Sequence, residues 1–293
     1  MAGDLVDVPG VRVGHWNHPT EATGCTVVVL PATNEAAVEV RGAAPASRET
    51  DLLRPGMSVR RADAVLFAGG SAFGLAAADG VVAGLEADGR GEPTVAGPVP
   101  IVPAAAIYDL AGREPTIRPD AAAGRAAYDV ASSEPLPSRH VGAGAGATVA
   151  KWRGPEAMVP GGIGTASATV GDAVVGALVV ANAVGDVVAR DGRPLTGGGL
   201  GPIAPFWAGG SPPLGTNTTL VLVATNGSGG SIDRLAVRAQ DALAALLRPA
   251  HSSVDGDLAV VARLSGGPTV DGDHLGEVVF WVVAEALERA VDG

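Results

Sequence analysis

Short runs of β-branched and other apolar residues recur along the chain and predict buried strands. The runs lie at residues 26–31, 36–40, 64–69, 173–189, 219–225 and 258–264. Several of them are apolar without alternation, which is typical of strands that are buried on both faces. Strands and helices do not alternate strictly along the chain, so the pattern indicates layered α+β packing.

Apolar residues at helical spacing predict helices at 72–88, 120–131, 232–247 and about 273–291. Ser231 stands where an N-cap is expected, and Pro249 follows the end of the same helix. The last helix has a broad apolar surface that includes Trp281, so we expect it to be sandwiched rather than exposed. A segment crowded with Gly and Pro, residues 191–217, separates two strand signals, and long loops of this kind are often functional.

Composition narrows the class of protein. Hydrophobic residues make up 47% of the 293 residues, Gly numbers 43 and aromatic residues reach only 3%, so Ala, Val and Leu must build a tightly packed core. The net charge of −11 argues against nucleic acid as a partner. Neither a signal peptide nor an apolar run long enough to span a membrane is evident, so we expect a cytoplasmic protein without membrane contact.

Several common chemistries are excluded by the absence of their motifs. The chain has no GxxxxGK[ST], HExxH, CxxC or EF-hand pattern. Cys25 is the only cysteine and lies in an apolar run, which favours a buried small side chain over a nucleophile. His15 and His18 lack an obvious third ligand. We therefore expect neither a cofactor nor a metal.

A few polar residues stand out against this background. Lys151 is the only lysine in the chain and follows the small-residue run GAGAGATVA. Lysine has a pKa that falls on desolvation, whereas arginine stays charged, so Lys151 is a candidate proton carrier; the alternative is a surface lysine. Asp255 and Asp257 flank a glycine just before a strand, where they either orient an amine or form a solvated turn.

A hydroxyl-rich step leads from the Gly/Pro segment into a buried strand in the sequence GTNTTLVLVATN, residues 215–226. A hydroxyl at the beginning of such a strand is held rigidly and is accessible from the loop. Taken alone, Thr218 and Thr219 would be ordinary β-branched strand residues. Their functional interpretation depends on the rest of the sequence.

Seven segments that follow one another along nearly the whole chain carry a family resemblance: PGVRVGH, LFAGGSAFGL, VPIVPAAAIYDL, GAGAGATVAK, VVANAVGDVV, NTTLVLVATN and HSSVDGD. The chain resembles the self-processing P1-type peptidases, which include the D-aminopeptidase/β-aminopeptidase group and the nylon-oligomer (6-aminohexanoate) endo-hydrolases. The Asn-Thr-Thr context, Lys151 and the Asp-Gly-Asp turn place it nearer the nylon-oligomer hydrolases. The shorter segment between Asn182 and Thr218 is a departure from that subgroup and leaves the shape of the cleft open.

The resemblance implies a role for particular residues. It implies cleavage of the backbone between Asn217 and Thr218, with Thr218 as the N-terminal nucleophile. It also implies that the site contains Asn182, Tyr108, Lys151, Asp255 and Asp257, with the Asn182 amide and a backbone N–H suited to stabilising an oxyanion. The implied fold is a four-layer αββα sandwich of the N-terminal-nucleophile type, formed by one domain, 1–293, that is processed into subunits 1–217 and 218–293.

The implied activity is amide hydrolysis through a threonine acyl-enzyme. The expected substrate is a small linear amide or peptide, and the expected partners are the chain's own cleaved subunit and further copies in a homotetramer. The sequence leaves open an aminopeptidase acting on short D-, β- or L-aminoacyl compounds, an acyltransferase of the ornithine acetyltransferase type, and an inactive scaffold.

Overall fold

The structure is a computed structural model that describes residues 3–137, 139–199 and 216–292. Most of the Gly/Pro-rich segment predicted as a long loop, residues 200–215, lies outside the described residues. In chain order the strands are β1 (Arg12–Asn17), β2 (Gly24–Val29), β3 (Asn34–Val40), β4 (Ala46–Arg48), β5 (Ala64–Ala68), β6 (Glu92–Thr94), β7 (Gly97–Val99), β8 (Ala104–Ala106), β9 (Thr148–Val149), β10 (Val159–Pro160), β11 (Gly162–Val170), β12 (Ala173–Asn182), β13 (Asp186–Val187), β14 (Thr218–Thr225), β15 (Leu247–Arg248) and β16 (Leu258–Leu264). The α-helices are α1 (Ala77–Ala87), α2 (Ala121–Asp129), α3 (Ile232–Leu246) and α4 (Gly272–Val291).

Two five-stranded sheets form the centre of the fold. The first has the strand order β1-β2-β5-β8-β4, and the second has the order β11-β12-β14-β16-β3. In the second sheet β12 and β14 are antiparallel, whereas β14 and β16 are parallel. The strand that begins at Thr218 is therefore paired on both sides, in the middle of a sheet.

The sheets are stacked between two layers of helices. The side chains of β14 alternate, as a strand requires: Leu220 and Leu222 pack between the sheets, whereas Val221 and Val223 pack under α3 and α4. Helices α1 and α2 cover the outer face of the first sheet, where Leu66 is buried. The four layers are helix, sheet, sheet and helix, which confirms the predicted αββα sandwich.

Of two local predictions from the sequence, the position of Ser231 at the N-cap of α3 is confirmed, whereas the sandwiched position of α4 is wrong. Ser231 does occupy the N-cap position of α3, but its side chain accepts no capping hydrogen bond and instead lies 3.5 Å from Asp233 Oδ2. Helix α4 is not sandwiched, because it forms the outermost layer over the second sheet, and Trp281 on its outer face is 46% exposed. The broad apolar surface of α4 therefore exceeds what the sheet covers.

The apolar run at 173–189 is interrupted in the structure. Strand β12 ends at Asn182, and only Asp186 and Val187 continue as the short β13. A side chain at Gly185 would place its Cβ 2.2 Å from the Pro249 carbonyl oxygen, so the chain turns where another backbone segment passes closely. The turn leaves Asn182 at the end of its strand. In the described ranges, no helix is long and apolar enough to cross a membrane.

Candidate active site

Thr218 is the first residue of β14 and lies directly opposite Asn182 in the pairing with β12. Its side chain is buried, with 4% of the residue exposed. The Thr218 hydroxyl donates a hydrogen bond to the carbonyl oxygen of the preceding residue, Asn217. Because the strand is paired on both sides, this hydroxyl is held next to its own upstream peptide bond.

A second donor approaches the same carbonyl group. The backbone N–H of Gly256 donates to the Asn217 carbonyl oxygen at 2.9 Å. A Cβ atom at position 256 would lie 2.7 Å from Thr218 Oγ1, closer than real Cβ contacts occur. A glycine therefore fits between the two aspartates of the Asp-Gly-Asp turn because its backbone is packed against the hydroxyl.

The two aspartates beside this glycine hold different parts of the site. Asp257 accepts the backbone N–H of Thr219 at 2.7 Å with Oδ1, and its Oδ2 lies 2.9 Å from Nδ1 of His251. Asp255 accepts the backbone N–H of Val184 at 3.1 Å. Asp257 thus supports the backbone of β14 directly after Thr218, while Asp255 joins the same turn to the end of β12.

Burial changes the proton affinity of this turn. Burial and the negative charge of Asp257 raise the pKa of Asp255 to about 7, against the opposing effects of the Ser252 hydrogen bond and the Lys151 charge. Burial disfavours protonation of His251, but its hydrogen bond and ion pair with Asp257 outweigh burial and raise its pKa. The site therefore contains a carboxyl group that titrates near neutral pH.

Lys151 follows Ala150, whose φ of 64° turns the chain at the end of the GAGAGATVA run. Its Nζ donates to the Asn182 backbone oxygen at 3.0 Å, to Asn182 Oδ1 at 2.9 Å and to the Thr216 carbonyl oxygen at 3.1 Å. Burial lowers the pKa of Lys151 to about 7, although Asp255 and Asp109 favour the charged form. The lysine binds oxygens of Asn182 and Thr216 rather than either aspartate of the turn.

Asn182 is fully buried at the end of β12. Its Oδ1 also accepts the Thr148 backbone N–H at 3.0 Å, which fixes the orientation of the amide. Its Nδ2 then points to the carbonyl oxygens of Tyr108 and Thr216, each at 3.4 Å. In the intact chain this amide is directed at the residue before Asn217, whereas the donor on the Asn217 carbonyl is Gly256.

A cavity of about 370 Å³ opens beside these residues. Tyr108, Lys151 and Asn217 line it, together with Asp109, Ala111, Gly146, Thr148, Pro155, Met158 and Thr216. Thr218 is buried and is not part of the lining, whereas the preceding Asn217 is. Most of the exposed wall surface is apolar, although six of the ten lining residues carry polar side chains, and this combination is usual for a small-molecule site.

The structure thus brings together in one region all the site residues that the family resemblance implied: Thr218, Asn217, Asn182, Lys151, Asp255, Asp257 and Tyr108. Sequence reasoning missed the role of Gly256, the middle residue of the Asp-Gly-Asp turn, and that of His251, which contacts Asp257. A signal for both was present in the run HSSVDGD, but a backbone N–H and a supporting histidine are not recognisable from residue type alone. Asp109 was missed as well; it accepts the Gly70 N–H at 2.7 Å and pairs with Arg113 at 2.5 Å.

The described fold is that of known aminopeptidases. A Burkholderia sp. β-aminopeptidase structure matches with a TM-score of 0.71 at 23% identity, covering 99% of this chain and 86% of that chain. The L-aminopeptidase D-Ala-esterase/amidase from Ochrobactrum anthropi, described as a variant of the Ntn hydrolase fold, matches with a TM-score of 0.70 at 19% identity, covering 99% and 86% of the two chains. The fold is therefore the α+β sandwich of the N-terminal-nucleophile type.

The sequence defines the family more closely. The family model for peptidase family S58 matches residues 3–292, and the chain belongs to this family. An uncharacterized aminopeptidase of Mycobacterium leprae (strain TN) is 43% identical over 282 residues, which cover 86% of this chain and 76% of that protein. A 6-aminohexanoate-oligomer endohydrolase of Paenarthrobacter ureafaciens is 31% identical over 290 residues, which cover 93% and 78%. The predicted resemblance is confirmed.

Proposed function

We propose that the chain cleaves itself between Asn217 and Thr218 and then hydrolyses linear amides with Thr218 as an N-terminal nucleophile. The observation that carries this proposal is the pair of donors on one peptide carbonyl. The Thr218 hydroxyl and the Gly256 N–H both contact the Asn217 carbonyl oxygen, the second at 2.9 Å.

Self-cleavage begins when Thr218 Oγ1 attacks the carbonyl carbon of Asn217. The Oγ1–C bond forms and the C–N bond breaks, the hydroxyl proton is transferred to the departing nitrogen, and the peptide becomes an ester. The Gly256 N–H stabilises the negative charge that develops on the oxygen in between. Water then hydrolyses the ester, which leaves a carboxylate on Asn217 and restores the Thr218 hydroxyl beside a new amino group.

The new α-amine supplies the base for the second activity. An unperturbed α-amine has a pKa of about 7.7–8.0, so it is partly neutral near pH 7 and can accept the hydroxyl proton. Thr218 then attacks the substrate carbonyl, the amide C–N bond breaks, and water releases the acyl group from the threonine ester. We expect Lys151 and Asp255, whose pKa values both lie at about 7, to support these proton transfers.

The sheet supports the further proposal that the two fragments stay together. After cleavage, fragment 218–293 contributes β14 and β16, and these strands lie between β12 and β3 of fragment 1–217. Each fragment would expose a broken sheet edge and much of the core if it left. We therefore propose that the processed subunits remain associated; assembly of such units into a tetramer is likewise a proposal, taken from the family.

The chain's relatives indicate the type of substrate. One relative is described as an aminopeptidase and another as a 6-aminohexanoate-oligomer endohydrolase, and both act on amide bonds by those names. The cavity is large enough for a small linear amide or a short peptide, and we propose this class as the substrate.

Covalent labelling tests the proposal. Incubation of the protein with a nitrophenyl ester that deacylates slowly should add one acyl group to fragment 218–293, on the Thr218 side chain, as located by peptide mass mapping. Thr219→Val is the matched control, because Thr219 Oγ1 is buried and has no hydrogen-bond partner among the described residues. This variant should label normally, whereas Thr218→Val should not label. An acyl group on any other residue of the cluster would contradict the assignment.

A further inference from the structure

The carboxylate of Asp186, the first residue of β13, is fully buried and accepts five hydrogen bonds. Trp152 Nε1 donates to its Oδ2 at 2.5 Å. Arg153 donates with Nε to Oδ2 and with Nη2 to Oδ1, both at 2.9 Å. Thr196 Oγ1 and the Gly198 backbone N–H donate to Oδ1 at 2.9 and 3.1 Å. Neither step of the proposed reaction uses this carboxylate, so its role lies in what it holds.

Two of the residues that Asp186 binds directly follow Lys151 in the chain. Lys151, Trp152 and Arg153 form a single turn of 3-10 helix, called here the Lys151 turn. The Trp152 backbone N–H donates to the Val184 carbonyl oxygen at 2.9 Å, which ties the turn to the segment after β12. Asp186 lies in the same segment and holds the two side chains of the turn. The backbone and the side chains of the Lys151 turn are therefore fixed to one short piece of chain.

This attachment bears on the lysine, because its ammonium group has to reach three oxygen atoms at once. Lys151 Nζ donates to two oxygens of Asn182, at 2.9 and 3.0 Å, and to the Thr216 carbonyl oxygen at 3.1 Å. The lysine side chain is a flexible four-carbon stem, so its end is placed accurately only when its backbone is held rigidly. Resting on the proposed function, we propose that Asp186 is a positioning residue, which fixes the Lys151 turn and thereby keeps the ammonium group on these oxygens.

The position of Lys151 also sets its proton affinity. Burial lowers its pKa to about 7, whereas the charges of Asp255 and Asp109 favour the protonated form. Asp109 is itself paired with Arg113, and the arginine of the Lys151 turn has an ion pair of its own with Asp186. A lysine released from this position gains contact with water, so its pKa moves up towards the ordinary value of about 10.4. Because the neutral lysine can accept a proton, self-cleavage should become faster as the pH rises through this pKa.

Asp186→Asn tests this inference. An asparagine offers one acceptor oxygen instead of two and turns an amino group towards other donors, so it cannot hold both Trp152 and Arg153. We expect slower self-cleavage, with the rise in rate shifted upward by about one pH unit, which lowers the neutral fraction of Lys151 at pH 7 about fivefold. The rate is measured by transferring freshly synthesised chain from a cell-free reaction to buffers between about pH 6 and pH 9, followed by denaturing gels at successive times.

Two further variants separate positioning from a general loss of stability. Trp152→Phe keeps an aromatic ring but loses the Nε1–H donor, so it should shift the rise in the same direction by a smaller amount, whether or not Asp186→Asn folds. Thr196→Val is the matched control, because it removes another donor from the same carboxylate without changing a side chain of the Lys151 turn. Its rate should rise at the wild-type pH.

The outcomes separate this inference from the function on which it rests. If Asp186→Asn and Trp152→Phe are processed with the wild-type pH dependence, the positioning role is wrong, while self-cleavage stands. Slow processing with an unchanged pH midpoint has the same meaning, because a merely structural role lowers the rate equally at every pH. An equal shift in Thr196→Val also overturns the inference. If the wild-type chain is not cleaved at any pH, the proposed function itself is contradicted.

Discussion

A methyl group at position 256 is the smallest change that disturbs the proposed cleavage geometry. In Gly256→Ala the new Cβ would lie 2.7 Å from Thr218 Oγ1, 2.8 Å from the Ala44 carbonyl oxygen and 2.9 Å from Pro45 Cα. Two of these neighbours are backbone atoms, so the Thr218 hydroxyl or the turn itself must move by several tenths of an ångström. A movement of the turn also displaces the Gly256 N–H from the Asn217 carbonyl oxygen.

The expected effect on self-cleavage follows from these distances. Loss of one oxyanion donor typically lowers a rate by about a hundredfold to a thousandfold, and misplacing reacting groups by about 1 Å can cost a hundredfold. We therefore expect Gly256→Ala to be processed at least about a hundredfold more slowly than wild type. The rate is measured by cell-free synthesis, followed by the fraction of intact chain at successive times on a denaturing gel.

Gly276→Ala is the matched control for this substitution. Gly276 lies in α4, and its new Cβ would meet the flexible Arg238 side chain at 3.3 Å and Leu235 Cδ2 in ordinary contact at 3.9 Å. This variant should be processed at the wild-type rate. Urea unfolding of Gly256→Ala beside the uncleavable Thr218→Val confirms that the slow variant is folded. Processing of folded Gly256→Ala at the wild-type rate would refute the role given to the Gly256 N–H.

Three further predictions follow from the same contacts. Because the pKa of Lys151 lies at about 7, we expect processing of wild type to become faster as the pH rises through 7, whereas Lys151→Arg, which keeps its proton, should be processed slowly and without this rise. Gels at a series of pH values measure both rates, and a wild-type profile in Lys151→Arg would exclude a role for neutral Lys151. Burial raises the pKa of Asp255 from 3.8 to about 7, so its contribution to stability is present below pH 4 and is lost as the pH rises through 7. Both proteins compared carry Thr218→Val, and one of them also carries Asp255→Asn. The free energy of unfolding with Asp255 minus that with Asp255→Asn should fall between pH 4 and 7, by at most about 1.4 kcal/mol per pH unit. A rise in this difference, measured by urea unfolding, would contradict the prediction. Fragments 1–217 and 218–293 should co-elute in native gel filtration and separate only in denaturant, because β14 and β16 lie between strands of the larger fragment; separation under native conditions would contradict the proposed association.

The strands that were predicted from the sequence are those made mostly of apolar residues. Strands β12, β14 and β16 lie inside the second sheet and are covered on both faces, so nearly every position is apolar. Strand β11 beside them was missed because it is rich in Gly, Ser and Thr. Its small residues are required by the close approach of α4: a Cβ at Gly164 would lie 2.0 Å from the Ala286 carbonyl oxygen.

The candidate site was predictable where chemistry is carried by side chains. Lys151 was conspicuous as the only lysine, and the family resemblance pointed to Thr218 and Asn182. The contribution of Gly256 could not be predicted, because its N–H is a property of the backbone and reaches Asn217 only through the parallel alignment with Asp255. Similarly, the bonds of Lys151 to Thr216 and Asn182 depend on how β12 ends next to β14.

Intact mass spectrometry of the purified protein tests the central proposal most directly. Wild type and Thr219→Val should each give two polypeptides with the masses of residues 1–217 and 218–293, the second beginning with a free Thr218. Thr218→Val should give only the full-length chain. A wild-type protein that remains a single intact chain and still hydrolyses amides would contradict the account.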